Sequence, residues 1–452
     1  MKSHFFTQVC LLFICMAILA SVPADKLISP DDPCFNYYGR FDMSNPKAPK
    51  FNWSGVVIEA SVPGPIVGMS MKDGNNDYDI EIDGKRDKII RTQSSVQQYM
   101  FRTDLTSDMH TVRIIQRSEN HWGTATFRGL YLADGKVPGP APKKPQRKIE
   151  FIGDSYTAGY GIESPSQSCN STQLRQYTNT NLTFASLVTK AFHAQSSILA
   201  WSGQGMVRNY GDKNKRSSTP YPFYYDRILG AASTAAWNYP QWKADLVVIN
   251  LGTNDFSTQP NPDESMYVGD YHNFIKRVLG NYPDAAIICV STSQGVFENY
   301  IKKVVTEETT TLNHPGVYSA AYPSSRQNSG CDYHPSITDN RNVANILIHT
   351  SMTKMNWDTT EAPVEALPSV SNKRPQPDLF VIHKSGDQIR ISQSESVHDQ
   401  TEFSLMNLQG KIVLKQKSAI DGICTIQTKA FTPGLYLAGS IHLGWVPVVI
   451  KK

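Results

Sequence analysis

Hydrophobic and polar residues alternate in short runs through the first third of the chain. Between Tyr37 and Asp134 these runs are SGVVIEASV, IVGMSM, YDIEIDG, QQYMFRT and HTVRIIQRS, separated by Asp-Gly and Gly-Asn pairs. Alternation places every second side chain on one face of a strand. Turn signals at intervals of about 8–12 residues predict an all-β sandwich or barrel over residues 34–142. GKVPGPAPKKPQRK follows, and its four prolines and two glycines read as a stiff connector.

From Ile149 the rhythm changes. KIEFIGDS, SSILAWSG, DLVVINLGTND and AAIICVS are short continuous apolar runs, as expected of buried strands. Between them, Phe184, Leu187, Val188, Ala191 and Phe192 recur at helical spacing, as do Val268, Tyr271, Ile275, Val278 and Leu279. NRNVANILIHTSMTKM closes the region as a further helix. Strand–helix alternation predicts an α/β domain over residues 147–357, with a parallel sheet covered on both faces. Residues 358–377 are rich in proline, serine and charge and read as a linker. LFVIH, QIRIS, EFSLMNLQGKIVLKQ, ICTIQT and GLYLAGSI then predict a small β-sandwich over 378–452.

The chain opens on MKSHFFTQVCLLFICMAILASVPA: a basic start, an apolar run from Val9 to Ala20, then small residues. This reads as a secretory signal peptide over residues 1–24, because the run is shorter than the roughly twenty apolar residues that cross a bilayer. No later stretch approaches that length, so a soluble, exported protein without a membrane span is expected. A formal charge of +4 over 452 residues, with no lysine or arginine run, argues against a nucleic-acid partner. Cys10 and Cys15 leave with the signal. Cys34, Cys169, Cys289, Cys331 and Cys424 remain, without CxxC or His-rich spacing, so no metal framework is expected. Cys289 reads as a core thiol. Export permits disulfides, and a Cys169–Cys331 bridge is one pairing open to the chain, since both cysteines follow motif segments that can converge.

Four segments end strands or follow them: GDS (153–155), WSGQGMVRN (201–209), LGTND (251–255) and CDYHPS (331–336). In an open parallel sheet, residues just past the carboxyl ends of strands gather at one edge, where ligands bind. Ester hydrolysis needs a nucleophile, a base and donors for the oxyanion. Ser155 suits the first role. His334 suits the second, because imidazole takes and returns a proton near neutral pH. The Ser155 N–H, the Gly205 (or Gly203) N–H and the Asn254 amide suit the third. Taken singly, Asn254 reads as an Asx-turn residue, His334 as a loop histidine and Asp154 as a helix cap. Their joint occurrence in this order, at strand ends, makes the hydrolytic reading.

That combination resembles the SGNH (GDSL-type) hydrolases. The resemblance implies a flavodoxin-like three-layer α/β/α domain and an acyl-serine mechanism without a cofactor. It implies Ser155 as nucleophile, Gly205 and Asn254 as oxyanion donors and His334 as base. IEFIGDSYTAGYG, WSGQGMVRNY, VINLGTNDFS and CDYHPS, preceded by a β-sandwich, are more narrowly similar to carbohydrate esterase family 2 over roughly Tyr37 to Trp357. Its members are exported deacetylases with an N-terminal jelly-roll domain, acting on xylan, glucomannan and related polysaccharides. Most SGNH enzymes place an orienting aspartate three residues before the histidine. Here that position is Cys331, and the acid, Asp332, stands two before. The resemblance therefore leaves two orienters open, Asp332 or a backbone carbonyl.

Sugar rings stack on aromatic faces, and Trp201, Tyr333 and Tyr160 beside the motifs are the aromatics expected to line the cleft. Arg208 and Asn209 are read either as fixing local backbone or as touching sugar hydroxyls. The terminal segment, with its PGLYL strand and basic end, resembles the sorting domain of cargo exported by the type IX system, which implies that machinery as a partner. The alternatives to a carbohydrate deacetylase are another SGNH esterase, aryl or lipase-like, and a non-catalytic carbohydrate-binding surface protein.

Overall fold

The computed structural model describes residues 26–119, 122–292 and 295–359, together with strand segments between 380 and 450. The signal read at 1–24 lies outside the described residues, as does all but the start of the linker.

The N-terminal region is a sandwich of two five-stranded antiparallel sheets. Its strands are β1 (Lys26–Ile28), β2 (Phe35–Tyr38), β3 (Lys50–Phe51), β4 (Val57–Pro63), β5 (Val67–Lys72), β6 (Asp77–Ile82), β7 (Lys85–Arg91), β8 (Val96–Arg102), β9 (Met109–Gln116) and β10 (Ala125–Leu132). One sheet runs β1-β10-β5-β8, with β3 also on β10, and the other β2-β4-β9-β6-β7. Val62, Val67, Met69, Met71, Tyr78 and Ile80 fill the space between them.

Strand β6 shows how the sandwich meets the rest of the chain. Tyr78, Ile80 and Ile82 join the sandwich core, whereas Asp77, Asp79 and Glu81 on its other face are also buried. Those carboxylates face the second domain instead of water. Asp77 Oδ1 accepts from Arg175 at 2.6 Å, Asp79 Oδ2 from Asn179 and Asn181 at 3.3 and 3.2 Å, and Glu81 Oε1 from Asn181 at 3.2 Å. Arg40, after β2, is likewise buried against Glu150 of the second domain at 3.3 Å.

The second domain is a five-stranded parallel sheet of β11 (Lys148–Gly153), β12 (Gln195–Ala200), β13 (Leu246–Asn250), β14 (Ala286–Ser291) and β15 (Val317–Ala321). Its order is β12-β11-β13-β14-β15. Helices α1 (Ser155–Ala158), α2 (Ser171–Tyr177), α3 (Phe184–Ala191), α4 (Glu264–Asn281), α5 (Val296–Thr310) and α6 (Ile337–Met355) connect or follow the strands. Successive strand residues serve opposite faces. Leu246 and Val248 pack with Phe184, Val188, Val343 and Leu347 of α3 and α6. Val247 and Ile249 pack with Tyr271, Ile275, Phe297 and Ile301 of α4 and α5. This is the three-layer flavodoxin-like arrangement, with β11 at the point where strand order reverses and ligands bind.

Beyond residue 380, seven strands form a three-stranded and a four-stranded antiparallel sheet, the last two being Gly434–Ser440 and Gly444–Ile450. Among the described residues no helix is long and apolar enough to cross a membrane.

Candidate active site

The chain leaves β11 through Gly153 and Asp154 and turns at once into α1. The turn is tight: a Cβ on Gly153 would lie 2.0 Å from Thr157 Oγ1. Asp154 caps the helix, its Oδ1 accepting from Tyr156 N at 3.0 Å. Burial pushes this carboxyl up to about 7, against the stabilising Tyr156 N–H. Ser155 follows as the first helical residue and is nearly buried.

His334 arrives from far along the chain, on a turn that precedes α6. Its Nε2 lies 2.9 Å from Ser155 Oγ. Its Nδ1 lies 2.9 Å from the Cys331 carbonyl oxygen and 3.2 Å from that of Asp332. A carbonyl can only accept, so Nδ1 carries the proton and Nε2 presents its lone pair to the serine hydroxyl. The Asp332 carboxylate is engaged elsewhere: its Oδ2 accepts from Tyr160 Oη at 2.8 Å. Of the two orienters left open by the sequence, the geometry presents the backbone and not the Asp332 side chain. The physical reason is local. Asp332 and Tyr333 both adopt positive φ, 49° and 62°, which turns the carbonyls of this short helical turn toward the imidazole.

The His334 turn is tied down on three sides. Cys331 is disulfide-bonded to Cys169. Its N–H donates to the Gly161 carbonyl oxygen at 3.3 Å, and Gly161 must be glycine there, since a Cβ would lie 2.3 Å from Cys331 Cβ. Ser336 and Asp339 form a reciprocal cap at the start of α6. The ring itself is sandwiched: Tyr160 stacks on it with centroids 4.2 Å apart, and Tyr156 meets it edge-on at 5.4 Å. Burial disfavours the imidazolium and holds the His334 pKa below its ordinary value, with the two carbonyl contacts opposing.

Asn254 stands past the end of β13, its amide donating to the Gln204 carbonyl oxygen at 2.7 Å and to Asp154 Oδ2 at 3.3 Å. The preceding Gly252, at φ 144°, has no room for a side chain, because a Cβ would meet the Phe297 ring at 2.2 Å.

The segment after β12 departs from expectation. The Gly205 N–H donates to Asn209 Oδ1 at 3.1 Å, so it is already occupied. Glycine is needed there for close packing, as a Cβ would lie 1.9 Å from the Arg208 carbonyl oxygen. Gly203, at φ 80°, is the other glycine open to the role, and among the described residues neither its N–H nor that of Ser155 donates a hydrogen bond. Arg208 is fully buried and donates to the carbonyl oxygens of Pro260, Asp255 and Thr258. Asn209 serves Gly205 and the Thr219 carbonyl oxygen. Both fix backbone.

Two site residues escaped the sequence reading. Asp255, next to Asn254, accepts from the backbone N–H groups of Met206, Val207 and Arg208 at 2.9, 2.6 and 2.8 Å. Burial pushes its carboxyl up to about 6 despite these three donors. Its place in the GTND motif was the available signal. Glu119, from the N-terminal sandwich, accepts from both Ser202 N and Ser202 Oγ at 2.7 Å. No local pattern points to it.

Residues 37–142 match the carbohydrate esterase 2 N-terminal family, and residues 151–334 the GDSL-like lipase/acylhydrolase family. A curated acetylxylan esterase / glucomannan deacetylase of Cellvibrio japonicus is 32% identical over 332 residues, 70% of this chain and 88% of that protein. The chain belongs to carbohydrate esterase family 2. Cellulase/esterase CelE of Acetivibrio thermocellus is also 32% identical, over 341 residues, but this family 2 chain spans only 40% of that relative's length. Among solved structures, a family two carbohydrate esterase from Clostridium thermocellum in complex with cellohexaose matches with TM-score 0.66 and 30% identity, over 72% of this chain and 99% of that one. One from Cellvibrio japonicus matches with TM-score 0.67 and 27% identity, over 74% and 99%.

The aromatics divide within this family 2 site. Tyr333 is exposed and Tyr160 covers the imidazole. Trp201 is half-buried between Trp53 of the sandwich, 6.4 Å away, and Tyr224, 4.6 Å away. Its ring seals the domain junction more than it faces a cleft.

Proposed function

We propose that this chain is an exported carbohydrate O-acetyl esterase that removes acetyl groups from plant hemicellulose through an acyl-serine. The observation that carries the reading is the 2.9 Å contact between Ser155 Oγ and a His334 whose other nitrogen is fixed as a donor. Ser155 Oγ attacks the acetyl carbonyl carbon as its proton passes to His334 Nε2. The unengaged N–H groups of Ser155 and Gly203 receive the oxyanion, and the Asn254 amide joins them by exchanging its long, 3.3 Å bond to Asp154 Oδ2 for one to the oxyanion. Collapse expels the sugar alkoxide, which takes the proton from Nε2. A water activated by the same nitrogen then releases acetate. Each donor is worth about 3–4 kcal/mol of barrier in sites of this kind. Tyr333 and Tyr160 present aromatic surface to a sugar.

Acetate release is measured from acetylated xylan, acetylated glucomannan and an aryl acetate, with wild type and Ser155→Ala. Release from the polysaccharides, lost in the variant, is expected. No release from any substrate sinks the esterase reading, and aryl acetate turnover alone moves it to another SGNH esterase. Export is proposed to use residues 1–24 as signal and 378–452 as a type IX sorting domain, supported by the sequence patterns described above. Secreted protein that still ends at Lys452 would count against cleavage of that tail.

Two further outcomes are expected. Asp332→Asn and Asp332→Ala should each keep kcat/KM within about tenfold of wild type, because the carboxylate holds Tyr160 and not the imidazole; a triad aspartate would cost about 10⁴. Second, only neutral His334 can accept the serine proton, so kcat/KM falls as pH drops through its pKa. Since burial lowers that pKa from 6.5, the acid limb should have its midpoint below pH 6.5. A midpoint above 6.5 would contradict the half-buried, carbonyl-oriented histidine.

A further inference from the structure

The loop after β12 is clamped by two carboxylates, one from each domain. Asp255 of the catalytic domain holds the amides of residues 206–208. Glu119 of the sandwich holds Ser202. Between the two clamps lie Gly203, Gln204 and Gly205, and the Gln204 carbonyl oxygen takes the Asn254 amide at 2.7 Å. We propose that Glu119 is a positioning residue of the active site, through which the N-terminal sandwich fixes the Ser202–Gly203 turn and with it the oxyanion donor. This inference rests on the esterase reading above.

Three observations carry it. First, the delivery of Glu119 is rigid. After β9 the chain continues as Arg117, Ser118 and Glu119, all fully buried. The Arg117 carbonyl oxygen accepts from both N and Oγ1 of Thr180 at 2.9 Å, while its guanidinium reaches Asp79 and the Gln176 carbonyl oxygen, both at 3.0 Å. Ser118 Oγ donates to Asn76 at 2.7 Å. Second, Glu119 grips Ser202 with both oxygens at 2.7 Å, the short, charge-assisted kind of bond that fixes orientation as well as distance. Third, the gripped turn is directly coupled to the nucleophile's strand: Trp201 N donates to the Gly153 carbonyl oxygen at 3.0 Å, two residues before Ser155. Gly203 itself, at φ 80°, lacks side-chain restraint, so its amide direction depends on its neighbours. A displaced donor loses most of its effect, because oxyanion stabilisation requires preorganisation.

The chemistry predicts a sharp distinction between two variants. In Glu119→Gln the amide oxygen still accepts from Ser202 N, and the amide NH₂ can donate to Ser202 Oγ, whose hydroxyl rotates to accept. Glu119→Ala removes both bonds. The full chain is assayed on acetylated xylan and an aryl acetate, and separately for phosphonylation of Ser155 by an aryl phosphonate, a reaction that also develops charge on oxygen. Glu119→Ala should lose about 30–1000-fold in kcat and in phosphonylation rate with KM within threefold, Glu119→Gln should remain within fivefold of wild type, and Ser202→Ala should fall between them. A folded Glu119→Ala with kcat within fivefold of wild type overturns the inference, and so does equal loss in the Gln and Ala variants with KM rising. If Glu119→Ala does not fold, Ser202→Ala decides: kcat and phosphonylation unchanged overturn the inference, and both reduced at constant KM support it. Wild type that neither releases acetate nor reacts with the phosphonate overturns the esterase reading and this inference with it.

Discussion

Ser155→Ala and His334→Ala are each expected to lower kcat/KM on acetylated substrate by about 10³–10⁶-fold, and the double variant to be no worse than either single one. The non-additivity follows from the 2.9 Å Ser155–His334 contact: in the proposed mechanism the imidazole acts only on the serine proton, so either loss disables the same step. What remains in each variant comes from binding and the oxyanion donors. Parallel initial-rate measurements with wild type and the three variants check this. Additive losses would mean that the two residues act in separate steps. A His334→Ala enzyme with a tenth of wild-type activity would show that another base serves Ser155. The orienter also matters here. A neutral carbonyl stabilises the developing imidazolium less than a carboxylate does, so more of the barrier lowering must come from the oxyanion side. That places unusual weight on the loop between Ser202 and Arg208.

Much of this was legible in the chain. Continuous apolar runs separated by helical stripes disclosed the parallel sheet, because a strand buried on both faces has no polar alternation to show. That Ser155, Asn254 and His334 come together was legible because strand ends in such a sheet converge on one edge, whatever their separation in sequence. The illegible parts share one cause: they depend on backbone direction or on another domain. Asp332 stands at a plausible spacing for an orienter, yet the positive φ of Asp332 and Tyr333 decides that carbonyls face the ring. Gly205 and Gly203 look equivalent as letters, but only the former donates to Asn209. Glu119 lies three residues past the end of β9, and its partner Ser202 lies across the domain junction. The alternation in β6 correctly implied a strand, while Asp77, Asp79 and Glu81 belong to a buried interface and not to a wet face.

That interface sets the second large effect. Arg40→Ala should destabilise the folded protein by about 3–5 kcal/mol, because it leaves Glu150 buried without its counter-charge. Glu150 sits inside β11 and accepts from Tyr225 Oη at 2.8 Å and Tyr282 Oη at 3.1 Å, besides Arg40 at 3.3 Å. Arg40 in turn donates to the Arg227 carbonyl oxygen at 3.0 Å and lies over the rings of Tyr225, Trp237 and Tyr239. For domains of roughly 150–250 residues, each kcal/mol shifts Tm by about 2–4 °C, so the loss should be plain in a thermal melt. Removing both charges is a different perturbation. Arg40→Met with Glu150→Gln leaves no unpaired ion and keeps an acceptor for a tyrosine hydroxyl, so the double variant should be more stable than the sum of the two single losses. Strict additivity in a double-mutant cycle would show that the pair is not coupled. Because residues of the sandwich and of the parallel sheet belong to one continuous core, both domains should melt in a single transition in wild type. Arg40 does not touch Ser155 or His334, so Arg40→Ala should keep near-normal kcat well below its melting temperature. A fall in kcat there would mean that the domain junction controls the site directly, through the same sandwich-to-loop contact that Glu119 makes.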